Sequence, residues 1–218
     1  MTNQLPVVAV LGGTGAEGSG LAIRWAAAGY RVLVGSRSAE RAVEFAAEIG
    51  AEGMDNAAAA AACDIAVLTV PYDAQRATLT ALREPLQGKI LVDVTVPLVP
   101  PKVMRVQLPD EGCAAQIAQT VLGDGVRVVS AFQNVSAGHL KDPDHVIDCD
   151  VLVTGDDPAA REEVARLAEA AGLTPIEAGP LDNAVAAEAL TSLLIWINRK
   201  YKSPGAGIRI TALPDHEA

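Results

Sequence analysis

The string Gly13-Thr14-Gly15-Ala16-Glu17-Gly18 follows directly on a short apolar, β-branched run at residues 7–11. It opens a stretch, residues 18–29, in which Leu21, Ala22, Trp25 and Ala28 recur at helical spacing and Gly29 is a natural stop. This order of strand, glycine loop and helix constrains the fold more than any other feature of the chain. Alone, G-x-G-x-x-G is a common string; between a buried strand and a helix it is a dinucleotide fingerprint. The first glycine makes the tight turn, the second lets the backbone approach a pyrophosphate, and the third lets helix pack on strand. Unpaired N–H groups at the helix start then face the phosphates.

The end of the second strand selects the cofactor. An NAD site places Asp or Glu there, about 20 residues past the glycines, to accept from the ribose hydroxyls. This chain has Gly35-Ser36-Arg37, with Arg41 one helical turn on. No carboxylate is present, and two guanidinium forks suit a phosphate. The expected ligand is NADP(H), its 2′-phosphate held by Ser36, Arg37 and Arg41, with the Thr14 hydroxyl in reach. The competing reading makes Arg37 and Arg41 a solvated helix face paired with Glu40 and Glu44.

Beyond the loop, strands and helices alternate. Strands are expected at 31–35, 65–70, 89–94, 127–130, 151–154 and 174–178, and helices at 39–49 (capped by Ser38), 73–86, 114–122 and 158–171. The alanine run 57–62 begins another helix, capped by Asp55 or Asn56, and 133–148 is a connecting stretch. The last helix, 181–201, is apolar on more than one face and is expected to be buried in a domain or dimer contact. Such alternation implies a doubly wound α/β sheet. Thr69-Val70-Pro71 and Asp93-Val94-Thr95-Val96-Pro97 fall at strand ends, where open α/β sheets bind ligands.

The net charge of −10 argues against nonspecific nucleic-acid binding, and 3% aromatic residues leave few rings for stacking. Cys63, Cys113 and Cys149 share no ligand or disulfide spacing, so free thiols are expected and no metal site. Residues 1–6 show no charged-then-apolar leader, and no apolar run reaches membrane-span length; a cytoplasmic setting is the expectation. A catalytic constellation is missing. His139, His145 and His216 are scattered, no Tyr-x-x-x-Lys pair appears, and Asp156-Asp157 before Pro158 reads as a helix cap. Hydride transfer between two cofactor rings tolerates such sparseness, because the protein supplies binding and orientation.

Val10-Leu11-Gly12-Gly13-Thr14-Gly15 with Gly18, and Val34-Gly35-Ser36-Arg37, are joined by further strings along the chain. These are residues 63–71, Ser130-Ala131-Phe132-Gln133-Asn134-Val135, residues 148–157, Ala178-Gly179-Pro180-Leu181, residues 197–202 and Gly205-Ala206-Gly207-Ile208-Arg209-Ile210-Thr211. Together they resemble the NADPH-dependent oxidoreductases of coenzyme F420, the 8-hydroxy-5-deazaflavin. The resemblance implies a Rossmann domain at 1–150, a smaller C-terminal α/β domain at 151–218, a homodimer, and reversible hydride transfer between NADPH and F420. It implies that Gly13 through Gly18, Ser36, Arg37 and Arg41 hold the nucleotide. Thr69, Val70 and Pro71 would line the nicotinamide, and Val135 and Ala137 would meet its carboxamide. The segment around Gly207 to Leu213 would close over the deazaflavin. Gln133 stands where some members have histidine, and Ala212 where glycine is common. Lys102, Arg105, Lys141, Arg199, Lys200 and Arg209 are candidate cations for an anionic acceptor. The alternatives are an NADPH-dependent reductase of a flavin, ferric chelate or small carbonyl compound, and a non-catalytic NADPH-binding protein.

Overall fold

The computed structural model describes residues 5–213; His216 lies outside them. Strand β1 (Val8–Leu11) is buried at every position. Val8 and Val10 enter one core with Leu21 and Trp25, while Ala9 and Leu11 enter a second with Leu33 and Leu68. A strand apolar on both faces needs a layer on each, and helices on both sides of a parallel sheet supply them. Helix α1 (Ala16–Ala27) follows, then β2 (Val32–Ser36) and α2 (Ala39–Glu48). Ser38 caps α2 as expected, its hydroxyl accepting from the Arg41 N–H.

The chain continues through β3 (Glu52–Asp55), α3 (Asn56–Ala62), β4 (Ile65–Leu68), α4 (Tyr72–Leu82) and β5 (Ile90–Asp93). Then come α5 (Ala114–Leu122), β6 (Arg127–Ser130) and the short α6 (Ala137–Leu140). It ends in β7 (Asp150–Gly155), α7 (Pro158–Ala170), β8 (Thr174–Glu177) and α8 (Ala184–Tyr201). Asp55 accepts from the Ala58 N–H at the start of α3. Asp157 does the same for α7 through Ala160, whereas Asp156 accepts from the Leu181 N–H and ties down the turn before α8.

The strand order is β3-β2-β1-β4-β5-β6-β7-β8. β1 to β6 pair in parallel; β7 joins antiparallel through Ser130↔Thr154, and β8 returns parallel to β7. This is the doubly wound Rossmann-type α/β architecture. The order reverses between β1 and β4, so a crevice opens where their carboxyl ends diverge.

β3 has no counterpart in the hydrophobic pattern. Glu-Gly-Met-Asp contains one apolar side chain, and an edge strand paired only with β2 needs no more. Two side chains of α1 help fasten the later part of the chain to the first βαβ unit. The Trp25 indole N–H donates to Leu167 O, and the Arg24 guanidinium donates to five backbone carbonyls, those of His139, Leu140, Asp142, His145 and Ala171. Helix α8 packs by Ala184, Ala187, Glu188, Ser192 and Leu194, while Leu193 and Trp196 stay about half exposed.

Candidate cofactor crevice

The glycine loop joins β1 to α1 at the switch point. The Gly12 and Gly13 N–H groups both donate to Gly35 O, which draws the end of β2 against the loop. A Cβ on Gly13 would lie 2.8 Å from Val10 O, and one on Gly18 would lie 2.9 Å from Gly13 Cα and closer still to the Thr69 hydroxyl. The turn and the helix–strand contact therefore both require glycine. No side chain caps α1 at Gly15, so its first-turn N–H groups remain for an anion.

A groove of about 860 Å³ runs from the loop over the end of β2, lined by Thr14, Gly15, Ser36, Arg37, Arg41 and Thr69 among others. Thr14 Oγ1 and Ser36 Oγ stand 3.4 Å apart. Among the described residues neither Arg37 nor Arg41 has an acidic partner within 4.0 Å, and Glu40 is engaged by the Ser38 hydroxyl. The two forks are exposed and open beside two hydroxyls. That arrangement fits a phosphate monoester better than a solvated ion-paired face.

Across Thr69, Val70 and Pro71 the groove continues into a crevice of about 490 Å³. Ala16, Glu17, Tyr72, Val94, Thr95, Val96, Leu98, Phe132, Gln133, Val135, Ala137 and Thr191 complete its walls. It is mostly apolar, as a site for flat rings should be. Thr69 is fixed by its hydroxyl donating to Leu11 O. Phe132 holds φ at +74° and packs edge-on against Trp25, with ring centroids 5.9 Å apart. That backbone is costly for a large side chain and persists because the packing over-determines it.

Gln133 is 5% exposed. Its amide donates to Asp93 O at 2.8 Å and to Ser130 Oγ at 2.7 Å, and its carbonyl accepts from Thr191 Oγ1 at 2.8 Å through the backbone. Its side-chain oxygen is buried with no partner among the described residues. Beneath it lies an acid pair that the sequence does not advertise. Glu188, on α8, accepts from the Ala114 and Ala115 N–H groups at 2.7 and 3.0 Å, capping α5 from another helix. Asp93 accepts from the Gln75 amide and from the Thr95 N–H. Burial pushes Asp93 up to about 6 and Glu188 up to about 8, the latter also lifted by the Asp93 charge. Neither carboxyl lines the crevice.

The structure thus brings together Thr14 to Glu17, Ser36, Arg37, Arg41, Thr69, Val70, Pro71, Val135 and Ala137 along one continuous channel, while Gly13 and Gly18 are buried behind it and shape the turn without lining it. Gly207 lines a neighbouring cavity of about 180 Å³ with His139, His145 and Cys149, and Leu213 is exposed and lines neither. The segment carrying Gly207 runs along β7, where Asp150 N donates to Ile208 O and Ile210 N donates to the Asp150 carboxylate. Lys141 reaches the flank of the groove beside Thr14 and Arg41. Arg209 pairs with Asp148 and Asp150. No cluster of three metal-ligating side chains occurs among the described residues, and all three cysteines are free and buried.

Residues 7–97 match the family model described as NADP oxidoreductase, coenzyme F420-dependent. The chain is 43% identical to the F420-dependent NADP reductase of Methanothermobacter thermautotrophicus, over 96% of this chain and 97% of that protein. It is 42% identical to the one of Methanocaldococcus jannaschii, over 94% and 98%. Among solved structures, a putative F420-dependent NADP reductase from Arthrobacter sp. FB24 superposes with a TM-score of 0.84 at 27% identity, covering 95% of this chain and all of that one.

Proposed function

The chain belongs to the family of coenzyme F420-dependent NADP oxidoreductases, and on that footing we propose that it transfers hydride reversibly between NADPH and F420. The observation that carries the reading is the match at 42–43% identity along nearly the whole chain, well beyond residues 7–97.

The two cofactors supply the redox chemistry: hydride leaves the reduced nicotinamide for the deazaflavin, which also takes up a proton. The protein's part is selection and alignment. Arg37 and Arg41, with Ser36 and Thr14, hold the 2′-phosphate. The first turn of α1, from Ala16 to Gly18, receives the pyrophosphate. Thr69, Val70 and Pro71 support one face of the nicotinamide, and Val135 and Ala137 meet its carboxamide through backbone. The deazaflavin lies over that ring, towards the segment from Gly207 to Leu213. The apolar walls keep water from the hydride path.

Residues 1–150 are read as the nucleotide-binding unit and 151–218 as the smaller unit that closes the crevice. The unit of function is a homodimer joined through α8, whose Leu193 and Trp196 would otherwise stay in water at 48% and 49% exposure. The buried free thiols suit a reducing cytoplasm. No helix among the described residues is long and apolar enough to cross a membrane.

Adding NADPH to F420 and the protein should bleach the visible absorbance of F420, with NADH far slower. Turnover of FMN or a ferric chelate without bleaching of F420 would contradict the proposal, as would tight NADPH binding with no acceptor.

A further inference from the structure

Glu17 carries a carboxyl into the crevice that nothing in the fold requires. It is the second residue of α1, and its side chain shares the crevice wall with Thr69, Val70, Pro71 and Val135. The residue is half-buried overall, yet Oε1 is fully shielded and has no hydrogen-bond partner among the described residues. A structural first-turn glutamate would reach back to a backbone N–H or stand in water. Here Oε1 has no backbone partner and is shielded from water, while the rest of the half-buried side chain opens on the crevice.

The groups that face it are few. Tyr72 is the other titratable residue lining the crevice. On α1 itself, Arg24 is turned away and spent on the 139–145 loop and Ala171. Asp93 and Glu188 lie behind the Gln133 wall, and Arg37 and Arg41 belong to the groove on the far side of Thr69. With no cation beside it, burial alone raises the carboxyl to about 8, so it is mainly neutral at neutral pH.

Resting on the reading that NADP(H) occupies the crevice, we propose that Glu17 is a positioning residue that registers the charge of the nicotinamide ring. It stays protonated beside the neutral dihydropyridine of NADPH and gives its proton to solvent when the cationic ring of NADP⁺ lies beside it. The two cofactor states share every phosphate and differ at the ring by one positive charge. A carboxyl with one oxygen shielded from solvent feels that charge strongly, because the screening of bulk water is reduced there. NADP⁺ binding is therefore linked to proton release and NADPH binding is not. The ionised carboxylate complements the charge that appears on the ring as hydride departs.

The test is calorimetric titration of the intact protein with NADP⁺ and with NADPH near pH 7, in two buffers of different ionisation enthalpy. Wild-type protein should release up to about one proton per NADP⁺ bound and none beyond the phosphate contribution with NADPH. The NADP⁺ Kd should tighten roughly tenfold between about pH 7 and pH 9, as linkage to one proton allows. In Glu17→Gln both cofactors should bind with no difference in proton count and no such pH dependence. Equal proton counts for the two cofactors in the wild type would overturn the proposal without needing the variant. Retention of the difference in Glu17→Gln would assign it elsewhere and overturn it too. Failure of either cofactor to bind would remove the underlying reading, which the proton counts alone cannot do.

Discussion

At the scale of single residues, the choice between NADPH and NADH turns on Ser36, Arg37 and Arg41, which line one groove at and just past the end of β2. Ser36, Arg37 and Arg41 could be assigned because a strand-end position with a known spacing demands either an acid or a phosphate receptor. Only their freedom from Glu40 and Glu44 had to come from the fold. Glu17 sits inside the motif itself, yet its burial depends on what β4 and the 132–137 stretch bring to the other wall. Periodicity carries no information about that. The strained φ of Phe132 and the orphaned Gln133 oxygen are likewise consequences of packing. If the two arginines hold the 2′-phosphate, Arg37→Ala and Arg41→Ala should each weaken NADPH binding by about 1.5–3 kcal/mol, as loss of a charge-assisted hydrogen bond does. NADH affinity should stay almost level. The ratio of the two dissociation constants measures this, and an equal loss for both cofactors would speak against the assignment.

At the scale of elements, regular segments announced themselves through apolar runs, alanine stretches and caps such as Ser38 and Asp157. What stayed hidden were the elements whose reason lies elsewhere in the chain. β3 exists because β2 has a free edge, and the start of α5 is capped by a glutamate from α8, 74 residues away in sequence. That cap has a measurable pH signature. Glu188 and Asp93 both have folded values raised above the ordinary carboxylate range, so the folded state holds protons that the unfolded chain gives up. Their contribution is complete below about pH 4 and is lost as pH rises through about 6 and then about 8. The melting temperature should therefore fall by several degrees between pH 6 and 9, a few kcal/mol in all. Glu188→Gln should flatten roughly half of that fall, and Glu17, raised to about 8, accounts for another share. A wild-type melting temperature that climbs across this range would refute the assignment. The Arg24 clamp belongs at the same scale: Arg24→Leu leaves five carbonyls without their donor and should cost about 3 kcal/mol in denaturant unfolding.

At the scale of the whole molecule, the doubly wound sheet was expected and found, because alternating strand and helix patterns leave few other arrangements. The extension of that sheet by β7 and β8 was not foreseen. It depends on an antiparallel pairing of two residue pairs, too short to leave a mark in sequence. The apolar surface of α8 follows from the same arrangement: one side packs on α5 and β7, and Leu193 and Trp196 face outward. If a second copy covers them, Trp196→Glu should shift the sedimentation mass from dimer towards monomer while leaving the fold intact by circular dichroism. A wild-type monomer at micromolar concentration would contradict the dimer. The central claim concerns the path of one hydrogen, and it is tested most directly by isotope. NADPH deuterated at the transferring position of C4 should pass its deuterium to the C5 carbon of F420, giving one deuterium per F420H₂ by mass spectrometry. Product that carries only solvent hydrogen, or F420 left oxidised while NADPH is consumed, would contradict direct hydride transfer in this crevice.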